Sequence, residues 1–238
     1  MTRTKRQPAS KKNAPRSPRT YSSASMLARR QRILAAVLNL IEEGGVDSVT
    51  VRELSKRSEV APRTVYAAFG SKEELIARAI KKRFQEAMGE DGPLAGPDTL
   101  EAVTLRLDLL ARVVIGQRQY SSVMAPIFFS ATIDHRIYEV LREIALSHIR
   151  PWIKILAAER KLVVSSPAQV EFLLSQLANV KSAVINDWRN GRLGDAQLGT
   201  HLQLAVFSLI AGYVQHKALP ELIAAINALW RTAMLDRS

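Results

Sequence analysis

The stretch "TVRELSKRSEVAPRTVYAAFGSKEEL", Thr50–Leu75, contains three helix starts in quick succession. Thr50 followed three residues later by Glu53 has the pattern of a capping box, in which side chain and backbone satisfy each other's hydrogen bonds. The helix it opens is interrupted by Glu59–Val60–Ala61–Pro62. Pro62 suits the first position of a new helix, where a missing N–H costs nothing, and that helix is expected over about Pro62–Ala68. Gly70 breaks it, and Ser71 with Glu74 forms a second capping pattern that opens a further helix to about Met88. Val51, Leu54, Val65 and Phe69 are spaced to pack inward. Arg63, Thr64 and Tyr66 are then left facing out.

Upstream, Leu34, Val37, Leu38 and Ile41 follow the i, i+3, i+4, i+7 spacing of a buried helix face, in a helix expected from about Ser25 that Gly44 and Gly45 stop. Two short helices with a tight turn, preceded by an amphipathic helix, make a helix-turn-helix unit. Its second short helix is the one that enters the major groove of DNA. Arg63 carries a planar fork matching guanine O6 and N7. Thr64 suits a thymine methyl or a phosphate, and Tyr66 a phosphate oxygen. Thr50 and Lys72 stand at helix starts, where free backbone N–H groups favour phosphate. The plainer reading of the same residues is a solvated face on a small helical domain.

The rest of the chain reads as helix. Glycines 89, 92 and 96 with prolines 93 and 97 mark a linker. Asp98 with Glu101 is the pattern of a cap, leading a helix to about Ile115. A short piece spans Tyr120–Phe129 with Pro126 inside it. A long helix is expected over about Asp134–Arg160, kinked at Pro151. Ser166–Pro167 with Gln169 opens a helix ending near Asn190–Gly191. Asp195 opens another to about Lys217, and the last covers about Pro220–Leu235. No alternating strand segment is evident, so the fold class is all-α. The organisation expected is a disordered basic arm (1–24), a helix-turn-helix domain (25–70), a connecting helix and linker (71–97) and a larger helical domain (98–238).

The chain has 238 residues and a formal net charge of +12, unevenly spread. Residues 1–25 hold seven basic residues (Arg3, Lys5, Arg6, Lys11, Lys12, Arg16, Arg19) and no acid. Residues 26–80 hold nine basic against seven acidic. An arm of this kind suits a polyanion, either nucleic acid or an anionic membrane surface, or serves as a solubilising tail. Its lack of apolar residues argues against membrane anchoring. There is no cysteine, which removes disulfides and thiolate metal sites. No apolar run approaches the roughly 20 residues that span a bilayer, and a cytoplasmic protein is expected.

The segment "AAVLNLIEEGGVDSVTVRELSKRSEVAPRTVYAAFGSKEELIARAI" resembles the DNA-binding domain of TetR-type transcriptional regulators. The resemblance rests on the glycine after the first helix, Thr50, the Val60–Pro62–Thr64–Val65–Tyr66 string, Phe69, and Ser71–Lys72–Glu73 before Leu75. It covers about residues 28–80. It implies a DNA-contacting set of Thr50, Ala61, Pro62, Arg63, Thr64, Tyr66 and Lys72. It also implies a homodimer built from the helices 168–190 and 195–217, a palindromic operator on double-stranded DNA, and a small hydrophobic ligand held in the C-terminal domain. On those helices Leu173, Leu177, Val180 and Val184 share one face, as do Leu202, Val206, Leu209 and Tyr213; the stripes suit either a partner or the chain's own core. Tyr120, Met124, Phe128, Phe129, Tyr138 and Trp152 suit an apolar pocket or plain core, with Arg118, Asp134 and His135 as weaker polar candidates. Two positions depart from the family pattern. Ser58–Glu59 stands where Ala-Gly is common, and a left-handed Glu59 costs on the order of 1 kcal/mol. Ala61 stands where a capping Ser is common, a loss of typically ~1 kcal/mol.

The function expected is a sequence-specific DNA-binding repressor released by a small apolar ligand. The alternative is a DNA-binding or chromosome-associated protein with no inducer, which the large basic arm favours. An enzyme needs a convergent acid, base or nucleophile set, and none is evident, so no catalytic residue, cofactor or metal site is assigned. The four histidines (135, 148, 201, 216) lie far apart, without helical metal spacing.

Overall fold

A computed structural model of the chain describes residues 23–89 and 98–235. The expected basic arm, and all of the expected linker except Gly89, lie outside the described residues. Within them the chain is helical with no named strand. The helices are α1 (Ser23–Gly44), α2 (Val51–Ser58), α3 (Pro62–Phe69), α4 (Lys72–Met88), α5 (Leu100–Gly116), α6 (Arg118–Met124), α7 (His135–Ser147), α8 (Arg150–Ala158), α9 (Pro167–Arg189), α10 (Asp195–Ala211) and α11 (Leu219–Leu235).

The first core gathers Ile33, Val37 and Ile41 of α1 with Leu54 of α2, Val65 and Phe69 of α3, and Leu75, Ile76 and Ile80 of α4. Leu34 and Leu38 are only half-buried; the buried stripe of α1 is rotated toward Ile33 and Leu40 relative to the expected one. The same core takes in Met124 from α6 and Ile137 from α7, so the helix-turn-helix unit rests directly on the rest of the molecule. α1 ends because Gly45 has φ 76°, which suits glycine. Gly44 is needed for a different reason: a Cβ there would meet the Ser48 Cβ at 2.9 Å.

The second core lies between α5, α8, α9, α10 and α11, around Leu107, Ile153, Leu173, Leu177, Val206 and Phe207. A third, smaller cluster joins α5 to α9 and α10 through Val114, Trp188 and Leu202. α9 starts with a complete capping box: Ser166 Oγ accepts from the Gln169 N–H, and Gln169 Oε1 accepts from the Ser166 N–H. α10 ends at Ala211, short of the expected Lys217. The chain beyond it turns to pair with the segment after α8, where the Val163 N–H donates to the Tyr213 carbonyl and the Gln215 N–H to the Lys161 carbonyl.

Two other expectations are corrected. The single kinked helix over Asp134–Arg160 is two helices, α7 and α8. A proline ring clashes with the carbonyl four residues back; for Pro151 that residue is Ser147, where α7 ends. The cap of α5 is Thr99, whose Oγ1 accepts from the Ala102 N–H at 3.2 Å. Asp98 instead pairs at 2.7 Å with Arg106, whose side chain is 1% exposed. A buried guanidinium needs a counter-charge more than a helix start needs a second cap.

Candidate DNA interface and ligand cavity

α3 is held by its inward side. Val65 and Phe69 are buried, while Arg63 and Tyr66 are exposed and Thr64 is half-exposed. Pro62 occupies the helix start, and Ala61 caps it with backbone alone, without a side-chain hydrogen bond. Glu59 takes the left-handed conformation, φ 54° and ψ 38°, as the C-cap of α2. Beside it Ser58 is buried, and its hydroxyl donates to the Leu54 carbonyl at 2.6 Å. α2 is locked against α1 by a bidentate pair, Arg57 Nη1 and Nη2 each 2.6 Å from a Glu43 carboxylate oxygen. That hydrogen bonding lowers the Glu43 pKa.

Thr50 and Ser71 cap α2 and α4 through their hydroxyls, which accept from the Glu53 N–H at 3.2 Å and the Glu74 N–H at 3.1 Å. Thr50 is exposed and Lys72 half-exposed, so both helix starts carry accessible polar groups around α3. The basic cluster Arg29, Arg30 and Arg32 adds a feature missing from the expected contact set. Arg30 Nη2 donates to the Ala68 carbonyl at 3.3 Å, and its guanidinium lies 5.9 Å from the Phe69 ring centre. Arg29 and Arg30 therefore flank α3 in a groove shared with Thr64 and Ala67. Sequence spacing alone does not bring the start of α1 to α3; the α1–α3 packing does.

A cavity of about 140 Å³ lies among α4, α5, α6, α7 and α9. Of the residues expected in a pocket, Tyr120, Met124 and Phe128 line it. Phe129 is 51% exposed, pushed outward by the tight 3-10 turn over Ala125–Phe129. Tyr138 packs on Phe128, with ring centres 5.4 Å apart, and is not part of the wall. Trp152 belongs to the second core, edge-on to Phe207. Arg118 pairs with Asp195 across the Trp188 ring. Asp134 caps α7 by accepting from the Arg136 N–H. His135 is exposed at the surface.

The wall is apolar with a few polar groups. Arg83 pairs with Glu42 at 2.5 Å, donates to Gln117 Oε1 at 2.7 Å, and lies 4.2 Å from the Tyr120 ring centre. The Tyr120 hydroxyl is buried without a partner, and burial raises its pKa. Lys181 of α9 is 1% exposed. Its ammonium donates to the Ala145 carbonyl and lies 3.3 Å from His148 Nδ1. Burial brings the Lys181 pKa down to about 7. Burial, then the Lys181 and Arg106 charges, push His148 well below the ordinary imidazole range.

α4 joins the two regions. Ser71 at its start lies beside α3, while Ile80, Arg83, Phe84 and Ala87 further along line the cavity. Arg136 of α7 spans the same junction, donating to Ser71 Oγ at 2.9 Å and lying 3.4 Å from Glu73 Oε2. Among the described residues no helix is long and apolar enough to cross a membrane, and no group of three or more His, Asp or Glu side chains is placed to hold a metal ion.

The described residues thus form a helix-turn-helix unit seated on an all-helical body with its own cavity. Residues 33–79 match the sequence profile of the bacterial regulatory proteins of the tetR family. The chain is 35% identical over 95 residues to the HTH-type transcriptional repressor KstR of Rhodococcus jostii (strain RHA1), a match covering 39% of this chain and 44% of the relative. The KstR of Mycolicibacterium smegmatis is 31% identical over 94 residues, 39% of this chain and 46% of the relative. The matches thus span under half the length of these curated relatives. The fold is that of a putative tetR family transcription regulator from Shewanella sp. PV-4, with TM-score 0.58 at 16% identity over 79% of this chain and 99% of that one. It is likewise that of the transcriptional regulator FadR from Bacillus subtilis in complex with stearoyl-CoA, with TM-score 0.54 at 19% identity over 74% of this chain and 97% of that one.

Proposed function

We propose that this protein is a DNA-binding transcriptional repressor that leaves its operator when a small, largely apolar molecule enters the cavity beside α4. α3 lies in the major groove, with Arg63 reading guanine and Thr64 and Tyr66 contacting thymine or phosphate. Thr50, Ala61, Pro62 and Lys72 bring backbone and charge to the flanking phosphates, with Arg29 and Arg30 beside them. The observation that carries this reading is α4: one continuous helix from the edge of α3 to the cavity wall. A ligand that displaces Phe84 or Ile80 therefore moves Ser71 and the start of the DNA-facing surface. The likeness to a repressor and to a regulator in complex with stearoyl-CoA supports the same assignment.

The working species is a homodimer on a palindromic operator, formed through α9 and α10. Phe172, Gln176, Asn179 and Ala183 share one outward face of α9, and His201, Ala205 and Ser208 one outward face of α10, which Gly212 continues just past its end. Small residues there allow close approach of a second copy. The test is selection of bound sequences from random duplexes with the full chain, followed by anisotropy on the selected site. A two-fold symmetric site with half-sites about one helical turn apart is expected. Recovery of no preferred sequence would reject the repressor assignment.

A further inference from the structure

The cavity offers two buried groups able to donate to a ligand. The Tyr120 hydroxyl has no partner. The Lys181 ammonium has three N–H groups, directed at most to the Ala145 carbonyl and His148 Nδ1, so one is unused. Two nearby guanidiniums already have carboxylates: Arg83 has Glu42, and Arg106 has Asp98. Among the described residues no carboxylate pairs with Lys181, and burial alone accounts for its lowered pKa. A buried ammonium without a counter-charge is costly and is met by an acceptor-only group brought from outside. The space beside it suits a ring or a short alkyl chain, since cavities near this volume hold a molecule about the size of benzene.

We infer that the ligand of this cavity is a small amphipathic acid, its alkyl or aryl body in the apolar space between α4, α5 and α6 and its carboxylate received by the Lys181 ammonium. This rests on the reading of the cavity as the sensor site. The lysine stem forms part of the wall, and rotation of that flexible stem carries Nζ from the Ala145 carbonyl toward the ligand. The charged and titratable groups around Lys181 and its cavity are His148 at the α7–α8 junction, which Arg106 of α5 also acts on, Arg83 of α4, Tyr120 of α6, and Glu42 of α1, which is bound to Arg83. A carboxylate at Lys181 therefore meets only an anion that Arg83 already neutralises, and it holds the ammonium charged. Binding above neutrality then takes up a proton, and affinity for the acid weakens as pH rises past about 7.

The experiment is calorimetry on the full chain with matched pairs, hexanoate against 1-hexanol and benzoate against benzyl alcohol, at about pH 6 and about pH 9. Release of selected operator DNA is followed in parallel. The acids should bind about tenfold or more tighter than the alcohols at the lower pH, the scale of a hydrogen bond to a charged group. That preference should shrink at the higher pH. Lys181→Met should bring acid and alcohol to parity while keeping the alcohol's affinity; if Lys181→Met does not fold, Lys181→Gln takes its place, and the pH comparison on the unmutated protein needs no variant. Alcohols that bind as tightly as acids and release DNA would overturn the acid while leaving the sensor reading in place. An acid preference that survives in Lys181→Met would overturn the role of Lys181. Failure of every probe to bind, with DNA binding intact, would overturn this inference together with the sensor reading.

Discussion

A lysine inside a helical core is tolerated by giving up its charge more easily. Because the Lys181 pKa falls from 10.5 to about 7 on folding, the unfolded chain holds a proton between those values that the folded chain does not. Stability therefore rises with pH across that window, and the full penalty is present below about 7. Lys181→Met should remove this slope and stabilise the protein most at acid to neutral pH; thermal melts from pH 6 to pH 10 measure it. The slope surviving in the variant would place its origin elsewhere. Arg63 stands at the opposite extreme, exposed on a helix fixed by Val65. Arg63→Ala should cost roughly 1–3 kcal/mol on the selected operator and much less on scrambled duplex, read by anisotropy. Glu59, left-handed at φ 54°, is a strained position. Glu59→Gly should raise stability by about 1 kcal/mol. The outward set Arg63, Thr64 and Tyr66 was legible in the sequence because α3 is short and its buried positions, 65 and 69, are one helical turn apart. Lys181 was not, because its meaning depends on Ala145, His148 and α4 meeting it from elsewhere in the chain.

At the level of elements, local signals served where a helix boundary is decided by neighbours in sequence. Thr50, Ser71, Ser166 and Asp134 all cap the helices they were expected to open. They failed where a distant or buried group intervened: Asp98 turned from capping to Arg106. The Pro151 break was misread as a kink because the sequence shows the proline but not how the chain turns through Ile149, φ −120° and ψ −35°. The junction of α4 with α7 was illegible for the same reason. There Arg136 is exposed, so its ion pairs contribute little to stability. Its place between Ser71 and Glu73 matters more for coupling. Arg136→Ala should leave the melting temperature nearly unchanged and reduce the ligand's effect on DNA affinity, by about 0.5–2 kcal/mol of coupling. Titrating ligand with and without operator measures it, and linkage requires the same change from either direction.

For the whole molecule, the question is which faces of α9 and α10 belong to the chain and which to a partner. Leu173, Leu177, Leu202 and Val206, the stripes first suited to a dimer seam, are 0% exposed in the single chain. They are filled by the chain's own core, so Leu177→Asp should unfold the protein and says nothing about assembly. In the proposed dimer the partner is left the opposite faces, where Phe172 is 57% exposed and Ser208 and Gly212 offer little bulk. Across a two-fold axis each such face meets the same patch of its copy, so charges added to one chain oppose like charges on the other. Phe172→Glu with Ser208→Glu should therefore separate the copies without disturbing either core. The unmutated chain should sediment at twice its 26.4 kDa mass, and the double variant at the single mass with unchanged helical circular dichroism. Its affinity for the full palindrome should fall toward that for an isolated half-site, because the two α3 helices are no longer tethered. A double variant that still sediments at the doubled mass would move the seam off these faces, and α11, where Ile223 and Trp230 are 40% and 49% exposed, would be the next surface to charge.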